Sequence, residues 1–482
     1  MAYKHGISVY ETETSIVAPI ESDSAMIVAV GTAPVNLIQN PIVNEPVIAY
    51  SYKEAVEKMG YSSDFKSYTL CEVMDVAFRK FGICPIVMIN VLDPQKHKKS
   101  QQSQEFYITD NKVVIAEQGI LLKSIIIKDS TESVTYQLGV DYETAFDSDN
   151  NVVIHILSEG SAINETSVKI SYDSIDVSAV TQEDIIGGYD NIAKKYKGLE
   201  CISQVYGKLG VIPGQIIAPG YSQYATVASV MRAKTENISG LFRATAVVDI
   251  DSSAEGAESY DMVYEWKNKN SYVHENMICC YPMVKIGDAI YHYSTIFVAL
   301  TAQTDAKNGN IPYVSASNKE LPITALITES GKSVYLDMSQ ANLLNANGVC
   351  TAINLNGWRS WGNNTSIYPA STDVKDRFIP IKRFFIWWSN TFIQTYFQKV
   401  DNPMNRRLID AVVDSENIRA NGYVARNIIA GANIAFYDNE NPITDLLNGT
   451  IRFHQYLTPF PPAEAIENTL EFDPNMLQSA LS

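Results

Sequence analysis

Four residues in the middle of the chain have the types that hydrolytic enzymes use: Ser222, Asp249, Asp251 and His292. Asp249 and Asp251 follow a predicted strand, where catalytic groups of parallel sheets often lie, but turns favour Asp at the same place. Ser222 stands in the segment 220–224 (GYSQY), which lacks the second glycine of a nucleophile elbow, and it is more simply the start of a helix. The sequence therefore predicts that the chain is not an enzyme.

Motifs for metals and cofactors are equally weak. The turn at residues 147–151 (DSDNN) resembles a calcium loop, but it lacks the central glycine, and Ser158 stands where the closing Glu belongs. We predict a hairpin turn there. The six cysteines have no metal or redox spacing and are typical of buried thiols in a reducing compartment. Without a phosphate-binding glycine loop, paired His ligands or an HExxH motif, we predict no cofactor and no metal.

Composition indicates an ordered globular protein. The 482 residues are 46% hydrophobic and 19% charged, enough for roughly three domains of about 150 residues each. The net charge of −17 argues against nucleic acid as a partner. Residues 1–13 contain no apolar signal core, and no apolar run approaches the about 20 residues that span a bilayer. We therefore expect a cytosolic product without membrane insertion.

The order of the predicted elements gives the fold class. Buried strands at residues 25–33 and 85–92, with two helices between them, are typical of a parallel α/β sheet. The segment 95–103 is polar and basic and predicts a linker. Short alternating strands over residues 105–172 predict a small antiparallel sandwich or barrel, after which the α/β pattern returns. The chain is predicted to be a multidomain α+β protein whose α/β domain carries an inserted β domain.

The late part of the chain is locally basic. Residues 375–452 hold ten Lys or Arg and eight Asp or Glu, a balance of +2, whereas the remainder holds 27 basic and 46 acidic residues, a balance of −19. This part can face an acidic partner, although such a difference is also compatible with a solvated surface. A helix is predicted to place Met404, Leu408 and Val412 on one face, and Arg406 and Arg407 can pair within it to Asp410.

Both ends of the chain have the alternation of strands. Near the start, Ile7 and Val9 share one face and Tyr10 lies on the other. Near the end, Ile466, Leu470 and Phe472 fall at even spacing after a proline-rich stretch that favours an extended backbone. Strands with unpaired backbone groups must pair with something. The partner can be a sheet of the same molecule or a sheet of a neighbouring one, and the pattern does not choose between them.

The order of these features resembles the sheath proteins of contractile tails, found in phages and phage-tail-like bacteriocins. The resemblance covers nearly the whole chain and is most specific at its end. The segments that carry it are residues 5–11 (HGISVYE), 25–34 (AMIVAVGTAP), 216–222 (IIAPGYS), 357–365 (GWRSWGNNT), 382–385 (KRFF), 401–403 (DNP) and 460–472 (FPPAEAIENTLEF).

The resemblance implies a structural subunit that stacks in rings around an inner tube and contracts to drive that tube through a cell envelope. It implies an N-terminal linking arm at residues 1–24, a middle domain at 25–97 and 181–346, an outer β domain at 98–180, a tube-facing domain at 347–457 and a C-terminal arm at 458–482. The arms are expected to insert as strands into neighbouring subunits through Ile7, Val9, Tyr10, Ile466, Leu470 and Phe472.

The same resemblance implies the partners. They are further copies of this chain, the inner tail tube protein, and baseplate and tail terminator proteins, in a virion or bacteriocin tail assembled in the host cytoplasm. From the local charge we expect the tube-facing residues to be Arg406, Arg407, Arg419 and Arg426. The alternative prediction is a self-associating surface or adhesion protein whose β domain binds a ligand.

Overall fold

The computed structural model describes residues 20–21 and 24–481. Within these residues the chain divides into two compact units, one ending at Pro403 and the other beginning at Met404. The predicted mixture of helices and strands, arranged in several sheets, is confirmed. Ile7, Val9 and Tyr10 lie outside the described residues, as do most of the other residues of the predicted N-terminal arm.

The first unit is built around one large sheet, whose strands come from both sides of the insertion along the chain. Before the insertion, the elements are β1 (Ile20–Glu21), β2 (Ile27–Gly31), β3 (Pro46–Ala49), α1 (Tyr52–Met59), α2 (Thr69–Met74), β4 (Ile83–Cys84) and β5 (Ile86–Asn90). The inserted strands are β6 (Lys98–Tyr107), β7 (Lys112–Ile115), β8 (Ile126–Lys128), β9 (Tyr142–Phe146), β10 (Val152–Ile156) and β11 (Ser167–Ile175).

The chain then returns to the sheet through short helices and strands. These elements are α3 (Gln182–Ile186), β12 (Gly188–Asp190), β13 (Lys195–Lys197), α4 (Val205–Leu209), β14 (Gln215–Ile217), α5 (Ala225–Lys234), β15 (Thr245–Asp249), α6 (Val263–Lys269), β16 (Met277–Cys280), β17 (Met283–Ile286), β18 (Ala289–Tyr291) and α7 (Tyr293–Lys307). The unit closes with β19 (Ala325–Ile327), β20 (Ser333–Val334), α8 (Met338–Asn345), β21 (Val349–Asn354), β22 (Trp358–Trp361), α9 (Val374–Arg377) and α10 (Ile379–Tyr396).

The large sheet has the strand order β22-β21-β16-β15-β14-β2-β5-β3. Its six inner strands pair in parallel, and the two edge strands, β22 and β3, pair antiparallel with their neighbours. The inner strands are nearly continuous apolar runs because helices cover both faces of a parallel sheet. Strands β2, β5, β15 and β16 are buried throughout.

The boundary of the last domain differs from the sequence prediction. Strand β21 pairs with β16 inside the large sheet, and β22 extends the sheet by one further strand. Residue 347, the predicted start of the C-terminal domain, therefore falls within the first unit, which continues to Pro403. The sequence did not reveal this because β21 lies more than 250 residues from β2 along the chain, and sheet membership depends on tertiary pairing.

The inserted region forms two three-stranded antiparallel sheets, β7-β10-β9 and β6-β11-β8. Val113, Ile127, Ile154 and Ile170 lie in a hydrophobic core that is separate from the core around the large sheet. The prediction of a linker at residues 95–103 is wrong from residue 98 onward, because residues 98–107 form β6 and pair with β11. The residues of this strand are polar and mostly exposed on both faces, so it lacks the apolar alternation by which strands are predicted.

The second unit is small. It contains α11 (Arg406–Ala425), β23 (Ile429–Ala435), α12 (Ile443–Leu447), β24 (His454–Pro459) and α13 (Pro474–Leu481). Helix α11 begins at Asn405, whose side chain accepts a hydrogen bond from the backbone of Leu408, and it buries Ile409, Val412 and Ala420.

No helix among residues 20–21 and 24–481 is both long enough and apolar enough to cross a membrane.

Candidate functional site

The structure brings Ser222 and Asp249 together at the end of β15. The Ser222 hydroxyl donates to Asp249 Oδ2 over 3.2 Å and accepts from the Asp249 backbone N–H over 2.9 Å. Asp249 also accepts from Ser294, from its backbone N–H at 2.8 Å and its hydroxyl at 2.5 Å. Burial raises the pKa of Asp249, against the opposing effects of His292 and the Ser294 hydrogen bonds. The carboxylate thus satisfies orphan N–H groups at the start of α7.

His292 binds a different carboxylate. Its backbone N–H donates to Glu72 Oε1 and its Nδ1 contacts Glu72 Oε2, both over 2.7 Å. Burial alone lowers the pKa of His292, but the charge and hydrogen bond of Glu72, together with the charges of Asp249 and Glu329, outweigh burial and raise this pKa to about 9. Asp251 accepts from the backbone N–H of Ser253 in a turn. Ser222 is therefore bonded to Asp249 and His292 to Glu72, so the serine and the histidine do not form the pair that a serine hydrolase uses. Asp249 and Glu72 instead bind the backbone at the start of α7.

The other candidate chemical groups have structural surroundings. Asp147 accepts hydrogen bonds from Asp149 and Asn151 in the connection between β9 and β10, which is the predicted hairpin turn. All six cysteines are buried, as predicted. Burial raises the pKa of the Cys279 thiol to about 12, which keeps it protonated and unreactive.

The second unit contains a sheet with open edges. Strands β23 and β24 pair antiparallel over the register from Ala435–His454 to Ile429–Pro459, and within the described chain they form a two-stranded sheet. Helix α11 packs against this sheet, and the Asn417 amide bonds both backbone groups of Ile434. An isolated pair of strands is marginally stable, and each outer edge presents backbone groups that can pair with another strand.

The predicted arm leaves this sheet and stays uncovered. Residues 460–473 belong to no helix or strand of the described chain, and Ile466, Leu470 and Phe472 are 90%, 88% and 78% exposed. Large apolar side chains so exposed at alternating positions are unfavourable in water unless another surface covers them. The arm is therefore available for pairing, and its predicted strand conformation stays a prediction.

The four arginines, three on α11 and Arg426 directly after it, do not share one surface. At about 100° per residue, Arg407 lies at the centre of the exposed face, Arg406 on one flank, and Arg419 and Arg426 on the other. Arg406 pairs with Asp410 over 2.9 Å, as the sequence allowed, and Arg426 lies 4.7 Å from the ring of Tyr423. Arg419 is mostly buried and binds Glu416 over 2.7 Å.

Glu416 is the residue in this unit that the sequence analysis missed. Its side chain is fully buried and contacts both Arg419 and Gln455 of β24. The sequence contains one signal for this pair: Glu416 and Arg419 lie three residues apart on a predicted helix, a spacing at which opposite charges can pair.

No protein-family model matches the chain. The tail sheath protein of Burkholderia phage BcepMu is 25% identical over 481 residues, which cover 96% of this chain and 95% of that protein. A putative prophage major tail sheath protein of Pseudomonas aeruginosa is 28% identical over 292 residues, covering 58% of this chain and 70% of that protein.

Solved structures show the same fold. A chain of the anti-feeding prophage baseplate has a TM-score of 0.59 at 12% identity and covers 98% of this chain and 100% of its own. A chain of the contracted PVC sheath complex, from an extracellular contractile injection system, has a TM-score of 0.57 at 10% identity and covers 99% of both chains. The predicted resemblance to tail sheath proteins of contractile tails is therefore confirmed, and it extends over nearly the whole chain.

Proposed function

We propose that this chain is the sheath subunit that stacks in rings around an inner tube and contracts to drive the tube through a cell envelope. The observation that carries the proposal is the open two-stranded sheet of the second unit, followed by an uncovered arm with alternating apolar residues. An arm whose residues 460–473 lie in no helix or strand of the described chain, and a sheet that has two strands within that part of the chain, are complementary parts of one joint between copies.

The joint uses both ends of the chain. Ile466, Leu470 and Phe472 of one copy, and Ile7, Val9 and Tyr10 of another, enter as strands beside β23 and β24 of a neighbour. Each backbone hydrogen bond contributes about 1 kcal/mol net. The paired strands hold the copies together while backbone rotation outside them allows the rings to turn and widen. The extended lattice is metastable and the contracted one makes more contacts, so no nucleotide is consumed.

The remaining assignments follow this arrangement. Residues 98–180 form the outer β domain, residues 25–97 and 181–403 the middle domain, and residues 404–457 the tube-facing domain. The inner tube protein contacts α11 through Arg407, with Arg406 and Arg426 at its flanks, and Arg419 reaches the same surface only by leaving Glu416. Baseplate and terminator proteins bind the ends of the sheath, in a tail assembled in the host cytoplasm.

Electron microscopy of the concentrated recombinant chain tests this proposal. We expect rings or tubes from the full chain and none from a truncation after Pro459, which leaves β24 intact. Replacing Ile466 and Leu470 by Ser is expected to prevent assembly, whereas Glu467→Gln and Thr469→Ser on the other strand face serve as a matched control. Tubes from the truncated chain, equal in number to those of the full chain, would contradict arm-mediated assembly.

A further inference from the structure

One face of the β23–β24 sheet is covered by α11 and the other is open. Gln455 points to the covered face, since it contacts buried Glu416, and its cross-strand partner Ile434 is buried on the same side. Alternation then places His454 and Tyr456, with their partners Ala435 and Asn433, on the opposite face. A sheet with a single layer against it leaves an apolar face in water unless a second layer is added.

The open face is aromatic. The ring of His454 lies 4.7 Å from that of Tyr456 and 6.1 Å from that of Tyr437. Tyr456 is 58% exposed and Tyr437 is 37% exposed. Neither β23 (IAGANIA) nor β24 (HQYLTP) contains Asp, Glu, Lys or Arg, so the face carries no fixed charge on its strands. Exposed aromatic rings around an uncharged centre are typical of a surface that another protein segment covers.

The last helix of the chain has the matching surface. In α13 the apolar residues Met476, Leu477, Ala480 and Leu481 are spaced by one and four, so they share one face, opposite Gln478. Met476 is 73%, Leu477 53% and Leu481 80% exposed. A helix of eight residues is marginal in water by itself and is stabilised by packing its apolar face.

We propose that α13 of one copy packs on the open face of the β23–β24 sheet of a second copy. This inference rests on the proposed function, in which the arm strand pairs at the edge of that sheet. A single residue, Asp473, separates Phe472 from Pro474, so a strand paired at the edge delivers α13 directly beside the sheet. The arm therefore docks with two parts, a strand that extends the sheet and a helix that covers it.

The segment that follows β24 favours docking of α13 on a second copy and not on its own sheet. Pro459, Pro461 and Pro462 keep the backbone extended and remove N–H donors, which opposes the tight hairpin needed to return to the same sheet. The 14 residues from 460 to 473 can span about 45 Å when extended, which is enough to reach a neighbouring molecule.

Peptide binding tests the inference. A fluorescent peptide of residues 460–482 is titrated with the full chain, held below the concentration at which it assembles. We expect Leu477→Asp in the peptide to weaken binding by about tenfold or more, because a charge replaces a buried apolar side chain, and Gln478→Asp to change it by less than about twofold. In the full chain, Tyr456→Ala is expected to weaken binding, and Tyr335→Ala, which removes an exposed tyrosine of the first unit, is the control.

The outcomes separate the two proposals. If a peptide ending at Asp473 binds as tightly as the whole peptide, α13 has no part in docking and the inference is overturned, while strand pairing stands. If neither peptide binds, arm-mediated assembly is itself contradicted. If only the whole peptide binds tightly and Leu477→Asp weakens it, both are supported.

Discussion

In the first unit, buried charges find their partners within the chain. Arg383 of α10 is 4% exposed and binds Asp305 of α7, which is fully buried, over 2.5 Å. His292 binds Glu72 in the same way near the start of α7. In the second unit, by contrast, the sheet has open edges, and the arm leaves Ile466 and Leu470 exposed.

The contrast lies in whether the polar and apolar groups of each unit are paired or covered within the described chain. The first unit has a large hydrophobic core, and its buried Arg383 and largely buried His292 are paired with buried carboxylates, as expected of a domain that is stable alone. The second unit leaves open strand edges and exposed apolar groups among its described residues, which the proposed function assigns to contacts with further copies. Substitutions in the first unit are therefore expected to change the free energy of unfolding, and substitutions in the arm to change association.

The largest effect is expected at the buried ion pair. Asp305→Ala leaves the Arg383 guanidinium buried without its carboxylate, which typically costs about 3–5 kcal/mol. Urea unfolding of the variant measures this loss in the free energy of unfolding. The double variant Arg383→Met, Asp305→Leu is the control, because apolar replacement of both partners removes the unpaired charge and is expected to recover most of the stability. Equal loss in the single and double variants would show that packing, not charge, is responsible.

A pH-dependent effect is expected at Glu72 and His292. Because the folded pKa of His292, about 9, is above its ordinary value of 6.5, the protonated ring stabilises the folded chain fully below pH 6.5. This contribution is lost as pH rises through 9 and amounts to about 1–3 kcal/mol. Urea unfolding at pH 6 and pH 9.5 measures it. Glu72→Gln removes the charge that raises the pKa, so the fall in stability between these pH values is expected to shrink.

The sequence predicted the inner strands of the large sheet because each is a continuous apolar run, as in β5. It did not predict β6, whose polar residues are ordered by pairing with β11. Nor did the sequence predict the contact between Glu72 and His292, because these residues are separated by 220 positions and are brought together by tertiary packing. For the arm, the alternation of Ile466 and Leu470 was visible, but alternation does not identify the sheet edge with which the arm pairs.

The smallest effect on stability is expected at Arg407, and the comparison with Arg419 can be made within one helix of the second unit. Arg419→Ala leaves buried Glu416 without its cation and is expected to lower the free energy of unfolding by about 2 kcal/mol. Arg407→Ala, at the centre of the exposed face of α11, is expected to change it by less than about 0.5 kcal/mol. Urea unfolding of the two variants measures the difference.

The same two variants also test which arginine contacts the inner tube. If Arg407 contacts an acidic tube, Arg407→Ala weakens co-sedimentation with the tube at low salt, and the difference from the unmodified chain shrinks at high salt because exposed charges are screened. Arg419→Ala is expected to lower the free energy of unfolding without a salt-dependent change in tube binding, because the Arg419 guanidinium is paired with Glu416. If Arg419→Ala loses as much salt-dependent binding as Arg407→Ala, both arginines contact the tube. The assignment of Arg419 to a structural role and of Arg407 to tube contact would then be wrong.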